Sequence, residues 1–252
     1  MSDLLRSSAT RIKTALVLVV ALLIIGYIDS YFIMWAFFGV LLAISLHEAQ
    51  KLFDFNDSKV YIASTLVWAA AYFYPTPEDL IFVLAVVYAS ILAYTKELDK
   101  KFLVLLMYPT ASFLFLFSLY IQFGMHSLLW LLVVVAGADV GAYFVGRSMG
   151  KTKFCQTSPN KTIEGVVGGV IVAAILGSIF SIGSFGFIQA LVISLIVALS
   201  SVFGDLFESY LKREANVKDS GDILPGHGGI LDRTDGFLFA GIVMVVLLKA
   251  FA

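Results

Sequence analysis

The chain is poor in charge. Only 14% of its 252 residues are Asp, Glu, Lys or Arg, against about 25% in an ordinary soluble domain. A single cysteine, Cys155, excludes an intramolecular disulfide framework and reads as an ordinary small loop residue. Histidine is scarce as well: His47, His126 and His227 are the three. The HEAQK segment at His47 lacks the second histidine of H-E-x-x-H, so a zinc protease is not supported. His47 and His126 read instead as interfacial residues. The formal net charge of −1 says nothing about nucleic acid, and no nucleic-acid partner is expected.

What is present is apolar sequence. Hydrophobic residues make up 60% of the chain, and the mean hydropathy is +0.94. Long apolar runs recur from end to end, which describes an all-α polytopic membrane protein. The run Thr14–Ile28, behind Arg6, Arg11 and Lys13, is like a signal peptide. It ends in GYIDS without a small-x-small cleavage pattern, and it is read as an uncleaved first helix.

About nine spans are expected: Thr14–Ile28, Tyr31–Leu46, Val60–Tyr74, Leu80–Thr95, Phe102–Ile121, Ser127–Gly146, Val166–Ile182, Phe187–Phe207 and Gly236–Phe251. With a cytoplasmic N-terminus and the C-terminus outside, sixteen of the seventeen lysines and arginines fall on the cytoplasmic side, Lys249 being the exception. Short outer connections are expected at 29–30, 75–79, 122–126 and 183–186. Two long cytoplasmic ones are expected at 147–165 and 208–235. The active site must then be built from those loops and the helix ends beside them. The expected division is one integral membrane domain, with residues 1–125 as scaffold for lipid and dimer contacts and 126–252 as the catalytic part.

Two acids sit too deep for solvent. Asp139 lies about 10 Å inside the expected end of its span, at ~1.5 Å per residue, and Asp205 lies near the same face. An ionisable group within a span marks a functional site by default. Asp205, Ser209 and Lys212 follow at i, i+4 and i+7 on one helical face, with Ser201 a turn earlier. Asp139, Tyr143 and Gly146 share a face in the same way, and Asp232 and Asp235 lie at i, i+3 where the last span begins. With Asp219 in the loop these are five carboxylates. All-oxygen clusters of this kind suit a hard divalent cation. Lys161, Lys212, Arg213, Lys218 and Arg233 supply donors for phosphate oxygens, and Gly226, Gly228 and Gly229 let backbone amides approach an anion. Acids for a metal beside bases for phosphate indicate nucleotide or phosphoryl chemistry. The pairs Gly137/Gly141 and Gly165/Gly169 permit close helix packing.

The segment SYLKREANVKDSGDILPGHGGILDRTD, Ser209–Asp235, resembles the diagnostic sequence of phosphatidate cytidylyltransferases, the CDP-diacylglycerol synthases. ADVGAYFVGRSMGK (138–151), SPNKTIEGVVGG (158–169) and SSVFGDLFESYLKR (200–213) are similar to further segments of that family. The resemblance covers the C-terminal half. It implies an Mg²⁺-dependent nucleotidyltransferase that joins CTP to phosphatidate in a lipid bilayer, forming CDP-diacylglycerol and pyrophosphate, as a homodimer. The setting implied is the bacterial inner membrane, with the site facing the cytoplasm.

In that reaction the lipid phosphate is the nucleophile. It is already ionised near neutral pH, so no general base is needed. The expected roles follow. Asp205 and Asp232 hold the metal, with Asp139, Asp219 and Asp235 as further ligands. Lys212, Arg213, Lys218 and Arg233 hold the triphosphate and the lipid phosphate, and Ser158, Lys161 and Thr162 close the site from the other loop. His227 donates to a phosphate or protonates the leaving pyrophosphate. Two other readings remain: a CTP-dependent enzyme acting on an isoprenoid or dialkyl-glycerol lipid, and an ion-coupled transporter. A CDP-alcohol phosphatidyltransferase is disfavoured, because D-G-x-x-A-R…G-x-x-x-D-x-x-x-D is absent.

Overall fold

The computed structural model describes residues 2–181 and 185–251, with side chains at 13, 14 and from 16 onward. The expected outer turn at 183–186 and Ile182 fall largely outside these residues, as do the side chains of Arg6 and Arg11. The chain is helical throughout, with no β-strand among the described residues. Among the described residues nine α-helices succeed one another: α1 Ser2–Ile28, α2 Tyr31–Leu52, α3 Ser58–Ala71, α4 Leu80–Thr95, α5 Lys100–Leu105, α6 Ser112–Met149, α7 Ile163–Phe180, α8 Phe187–Glu214 and α9 Leu231–Phe251. A wider helical turn, Leu106–Ala111, joins α5 to α6.

Six helical runs are long and apolar enough to cross a membrane: Tyr31–Leu52, Pro77–Thr95, Lys100–Met149, Ile163–Phe180, Phe187–Glu214 and Leu231–Phe251. The protein is a multi-pass membrane protein. The other expected spans are also helical, but differ in extent. The apolar part of α1 is short, Leu16–Ile28, and α3 stops at Ala71. The fifth and sixth expected spans belong to one run, which leaves helical geometry at Tyr108 and again at Gly124, where φ is +76°. That left-handed value suits glycine because it has no Cβ. Ser127 Oγ donates to the Gly124 carbonyl at 2.7 Å, which satisfies an acceptor released by the break.

The two long connections are shorter than expected. Helix α8 continues to Glu214, so Lys212 and Arg213 are helical, and α9 begins at Leu231, so Asp232 and Asp235 are helical too. Lys, Arg and Glu are good helix formers, and nothing between Phe207 and Glu214 breaks the helix. The remaining loops are 150–162 and 215–230. Because α6 runs on to Met149, Asp139 lies about 15 Å from the helix end rather than about 10 Å.

The helices form two compact units. The first comprises residues up to Ile121 with Glu214–Arg233, and the second comprises Gln122–Arg213 with residues from Thr234 onward. In the first, Tyr31, Trp35 and Tyr72 form an edge-to-face aromatic group. Tyr31 Oη donates to the Tyr72 carbonyl at 2.7 Å, and Trp35 Nε1 donates to the Trp68 carbonyl at 2.9 Å. These bonds fix α2 against the end of α3. Asp57 and Asp99 cap α3 and α5 by accepting from Lys59 N and Lys101 N, each at 2.8 Å.

In the second unit α6 and α7 pack through glycine. A Cβ on Gly141 would lie 3.0 Å from Gly169 Cα, and one on Gly165 would lie 2.9 Å from the Ala142 carbonyl. The Gly137/Gly141 and Gly165/Gly169 pairs therefore do allow close helix approach. Trp130, wholly buried, donates Nε1 to Ser194 Oγ of α8 at 3.0 Å. Gly204 of α8 faces α9, and a Cβ there would lie 2.5 Å from the Asp235 carbonyl.

Candidate active site

In the second unit, the close approach of α8 and α9 at Gly204 places Asp235 within electrostatic reach of Asp205 and of Asp139 on α6. Asp235 of α9 thus feels the carboxylates of two other helices. Lys161, at the end of loop 150–162, forms an ion pair with Asp205 Oδ2, and Ser209 Oγ donates to Asp205 Oδ1 at 3.4 Å. The i, i+4 spacing of Asp205 and Ser209 produces that contact. Gly236 N donates to Asp235 Oδ1 at 2.7 Å.

Loop 150–162 is held from both ends. Phe154 N donates to the Lys161 carbonyl and Ile163 N to the Thr152 carbonyl, each at 2.9 Å. Thr162 caps α7 by accepting from Gly165 N at 3.1 Å. Glu164, in the first turn of α7, accepts from Lys151 N at 3.1 Å and from Thr152 Oγ1 at 2.8 Å. A helix N-terminus favours that negative charge. The loop so fixed borders a cavity of about 600 Å³, whose walls include Asp139, Tyr143, Arg147, Ser158, Lys161 and Thr162. Arg147 donates to Tyr143 Oη at 2.9 Å along its rim.

A second group of expected residues lies in the first unit, in the segment Glu214–Arg233. Asp232 Oδ2 accepts from Ser220 N at 2.8 Å, Ser220 Oγ at 3.0 Å and Gly229 N at 2.8 Å. Leu224 N donates to the Gly228 carbonyl at 2.9 Å, and His227 N donates to the Leu224 carbonyl at 2.8 Å. These bonds close a tight turn, with Gly226 and Gly228 at φ of +76° and +79°. Both positions need the left-handed backbone that glycine tolerates. At Gly228 a Cβ would also lie 2.5 Å from Asp232 Oδ2. Arg233 Nε donates to the His227 carbonyl at 3.0 Å. His227 Nδ1 is buried without a hydrogen-bond partner. Lys218, Asp219 and Arg233 are exposed, as is Arg213 at the end of α8.

Some participants were not expected. Glu48 of α2 is buried, at 3% exposure. Its carboxylate accepts from Ser220 Oγ, Ile230 N and Leu231 N at 3.1, 3.0 and 2.8 Å. The signal was visible as an acid within an apolar helix, but it was read only as part of a failed zinc motif. Glu208, wholly buried, holds Lys212 at 2.8 Å, i, i+4 along α8. That lysine is therefore anchored by a neighbour on its own helix. Tyr143 and Arg147, on the cavity wall, were likewise unassigned. His47 Nδ1 pairs with Tyr61 Oη at 2.9 Å, and His126 stacks on Phe180.

Among the described residues, no three His, Cys, Asp or Glu side chains converge closely enough to hold a metal ion as they stand. The chemistry of the donor set nevertheless fits one. Asp139, Asp205 and Asp235 are oxygen donors, Asp235 repelled by the other two, with no thiolate or imidazole named beside them in the second unit's group, and a hard cation relieves that repulsion.

The model of the family described as cytidylyltransferase matches residues 9–251. The chain belongs to the cytidylyltransferase family. Within it, the phosphatidate cytidylyltransferase of Helicobacter pylori strain J99 is 45% identical over 251 residues, covering 98% of this chain and 94% of the relative. The phosphatidate cytidylyltransferase of Bacillus subtilis is 47% identical over 135 residues, 52% of this chain and 50% of its own. That of Thermotoga maritima is 35% identical over 186 residues, 69% of each. The cytidylyltransferase likeness therefore includes the N-terminal helices, for which no sequence motif was found.

Proposed function

We propose that this chain transfers the cytidylyl group of CTP to phosphatidate, giving CDP-diacylglycerol and pyrophosphate for phospholipid synthesis. The observation that carries the reading is the near-complete match to a curated phosphatidate cytidylyltransferase. The two groups of acids and bases suit the chemistry. An oxygen of the lipid phosphate attacks the α-phosphorus of CTP, and the bond from that phosphorus to the β-phosphate oxygen breaks. The pair of electrons leaves with pyrophosphate. The nucleophile carries about −1.5 to −2 charges at neutral pH, so no side chain has to remove its proton. The barrier is the meeting of two polyanions and the charge that builds on the leaving group.

The basic residues meet that need. Lys161, Lys212, Arg213, Lys218 and Arg233 bind and orient phosphate oxygens, and Ser158 and Thr162 add hydroxyl contacts. His227 donates a hydrogen bond to a phosphate from the turn that also presents the amides of Gly226, Gly228 and Gly229. Asp139, Asp205, Asp219, Asp232 and Asp235 are the carboxylates for Mg²⁺. When bound, the ion neutralises charge on the phosphates and on the leaving pyrophosphate.

The finer topology belongs to the same proposal: nine crossings, the N-terminus cytoplasmic and the C-terminus outside, in a bacterial inner membrane. The active site then faces the cytoplasm, where CTP is dissolved, and the enzyme works as a homodimer. Sixteen of the seventeen basic residues on one side support that orientation.

The decisive experiment uses purified protein in detergent with labelled CTP. Phosphatidate and polyprenyl phosphate are offered separately, with Mg²⁺ or with EDTA. Labelled CDP-lipid and pyrophosphate are expected from phosphatidate with Mg²⁺ alone. Turnover with polyprenyl phosphate in preference would move the enzyme to another lipid class, and full activity in EDTA would remove the metal.

A further inference from the structure

We infer that Glu48 is a positioning residue for Asp232, acting through Ser220. The inference rests on the reading that Asp232 serves the transfer reaction. Glu48 lies on α2, within an otherwise apolar run. Its carboxylate is buried at 3% exposure, and so is Ser220 at 5%. A charge so placed needs its full set of donors. The segment that precedes and opens α9 supplies them, through Ser220 Oγ, Ile230 N and Leu231 N at 3.1, 3.0 and 2.8 Å.

These donors do two things at once. Ile230 N and Leu231 N belong to the start of α9, where backbone amides have no partner within the helix. Glu48 therefore caps α9 from a different helix, and its negative charge suits the positive end of the dipole. Ser220 Oγ stands 3.1 Å from Glu48 Oε2 and 3.0 Å from Asp232 Oδ2. One hydroxyl has one proton, so Ser220 links two carboxylates through a single shared donor. The remaining bonds to Asp232 Oδ2, from Ser220 N and Gly229 N, come from the same wrapped segment. With Oδ2 held by three donors, the plane of the Asp232 carboxylate is set.

The glycines show how closely the segment wraps. A Cβ on Gly221 would lie 2.6 Å from Glu48 Oε1, and one on Gly229 would lie 2.5 Å from each Glu48 oxygen. A side chain at either position would push against the Glu48 carboxylate and shift it. Glu48 thus sets Ser220 and the start of α9, and these set Asp232.

The test compares Glu48→Gln, Ser220→Ala, their double variant and Asp232→Asn with the unaltered protein, all purified in one detergent. It measures kcat, KM for phosphatidate, and amide exchange over residues 219–232. Misplacement of a reacting group by about 1 Å costs about a hundredfold in rate. On that scale E48Q lowers kcat at least tenfold, with KM for phosphatidate within about twofold. S220A lowers it less, and the double variant is no worse than E48Q, because the two act in series. Exchange at Ile230 and Leu231 rises in E48Q. Unchanged turnover in E48Q, or losses that multiply in the double variant, overturn the inference. So does a loss confined to the yield of folded protein, with kcat per folded molecule unchanged. Should E48Q fail to fold, Glu48→Asp keeps the charge and shortens the reach; near-normal kcat in that variant also overturns it. Near-normal turnover in D232N would instead sink the catalytic role of Asp232, and is read separately.

Discussion

Asp205 lies within α8 and Asp232 in the first turn of α9, and their surroundings separate them. Asp205 faces the like charge of Asp235 and is paired with Lys161. Asp232 is held by three donors, Ser220 N, Ser220 Oγ and Gly229 N. The first arrangement stores repulsion that a bound cation or a lysine relieves, and the second fixes direction. Asp205→Asn and Asp232→Asn are each expected to lower kcat by at least a hundredfold, about 2.7 kcal/mol of transition-state stabilisation. Yield of membrane-inserted protein should stay unchanged. Near-normal turnover in both variants, measured as pyrophosphate release, would refute the assignment. Glu48 shows the limit of reading residues singly. Its carboxylate accepts three hydrogen bonds, each of a kind worth about 1.5–3 kcal/mol when the acceptor is charged, yet its donors lie more than 170 positions away in the chain. No spacing rule reaches that far.

At the scale of elements, the apolar runs marked the helices well and their ends poorly. The span expected at Leu80–Thr95 coincides with α4. Helix α8, by contrast, passes through its charged stretch to Glu214, because Lys, Arg and Glu propagate a helix as readily as apolar residues do. Polarity marks where a membrane ends, not where a helix ends. The glycine pairs were legible as packing sites, but only the contacts show how little room remains. A Cβ on Gly169 would collide with the Ala138 carbonyl and would lie 2.8 Å from Ala142 N. Gly169→Leu should therefore force α7 away from α6, at a cost of about 1–3 kcal/mol. A fall in thermal unfolding midpoint in detergent is the expected result. Because Asp139 and Lys161 flank these two helices, activity should fall as well. A midpoint equal to that of the unaltered protein would show that the helices have space to spare.

For the molecule as a whole, six long apolar runs and a family match over residues 9–251 establish a multi-pass cytidylyltransferase. Exposed Phe82, Val83, Val86 and Val87 on α4 are what a lipid-facing helix requires, since lipid imposes no cost on apolar surface. The proposed orientation makes a direct prediction. In a Cys155→Ser background, a cysteine at Lys153 should react with an impermeant maleimide only after the cells are opened. A cysteine at Asp79 should react in intact spheroplasts. The reverse pattern would invert the topology and place the basic loops away from CTP.

The amino-acid sequence by itself determined that this protein is helical and apolar, which residues are candidates for its chemistry, and which family its C-terminal half resembles. Those properties are local: hydropathy persists along a helix, and the motif residues lie close together in the chain. Only the tertiary structure decided which of those residues meet. It brought Asp235 to Asp205 through the small face of Gly204, and Lys161 to Asp205 through a loop held at both ends. It also set a buried glutamate of α2 against the segment whose Ser220 and Gly229 hold Asp232. These depend on close packing and on hydrogen bonds between distant segments, where a missing Cβ or a single shared proton sets the geometry.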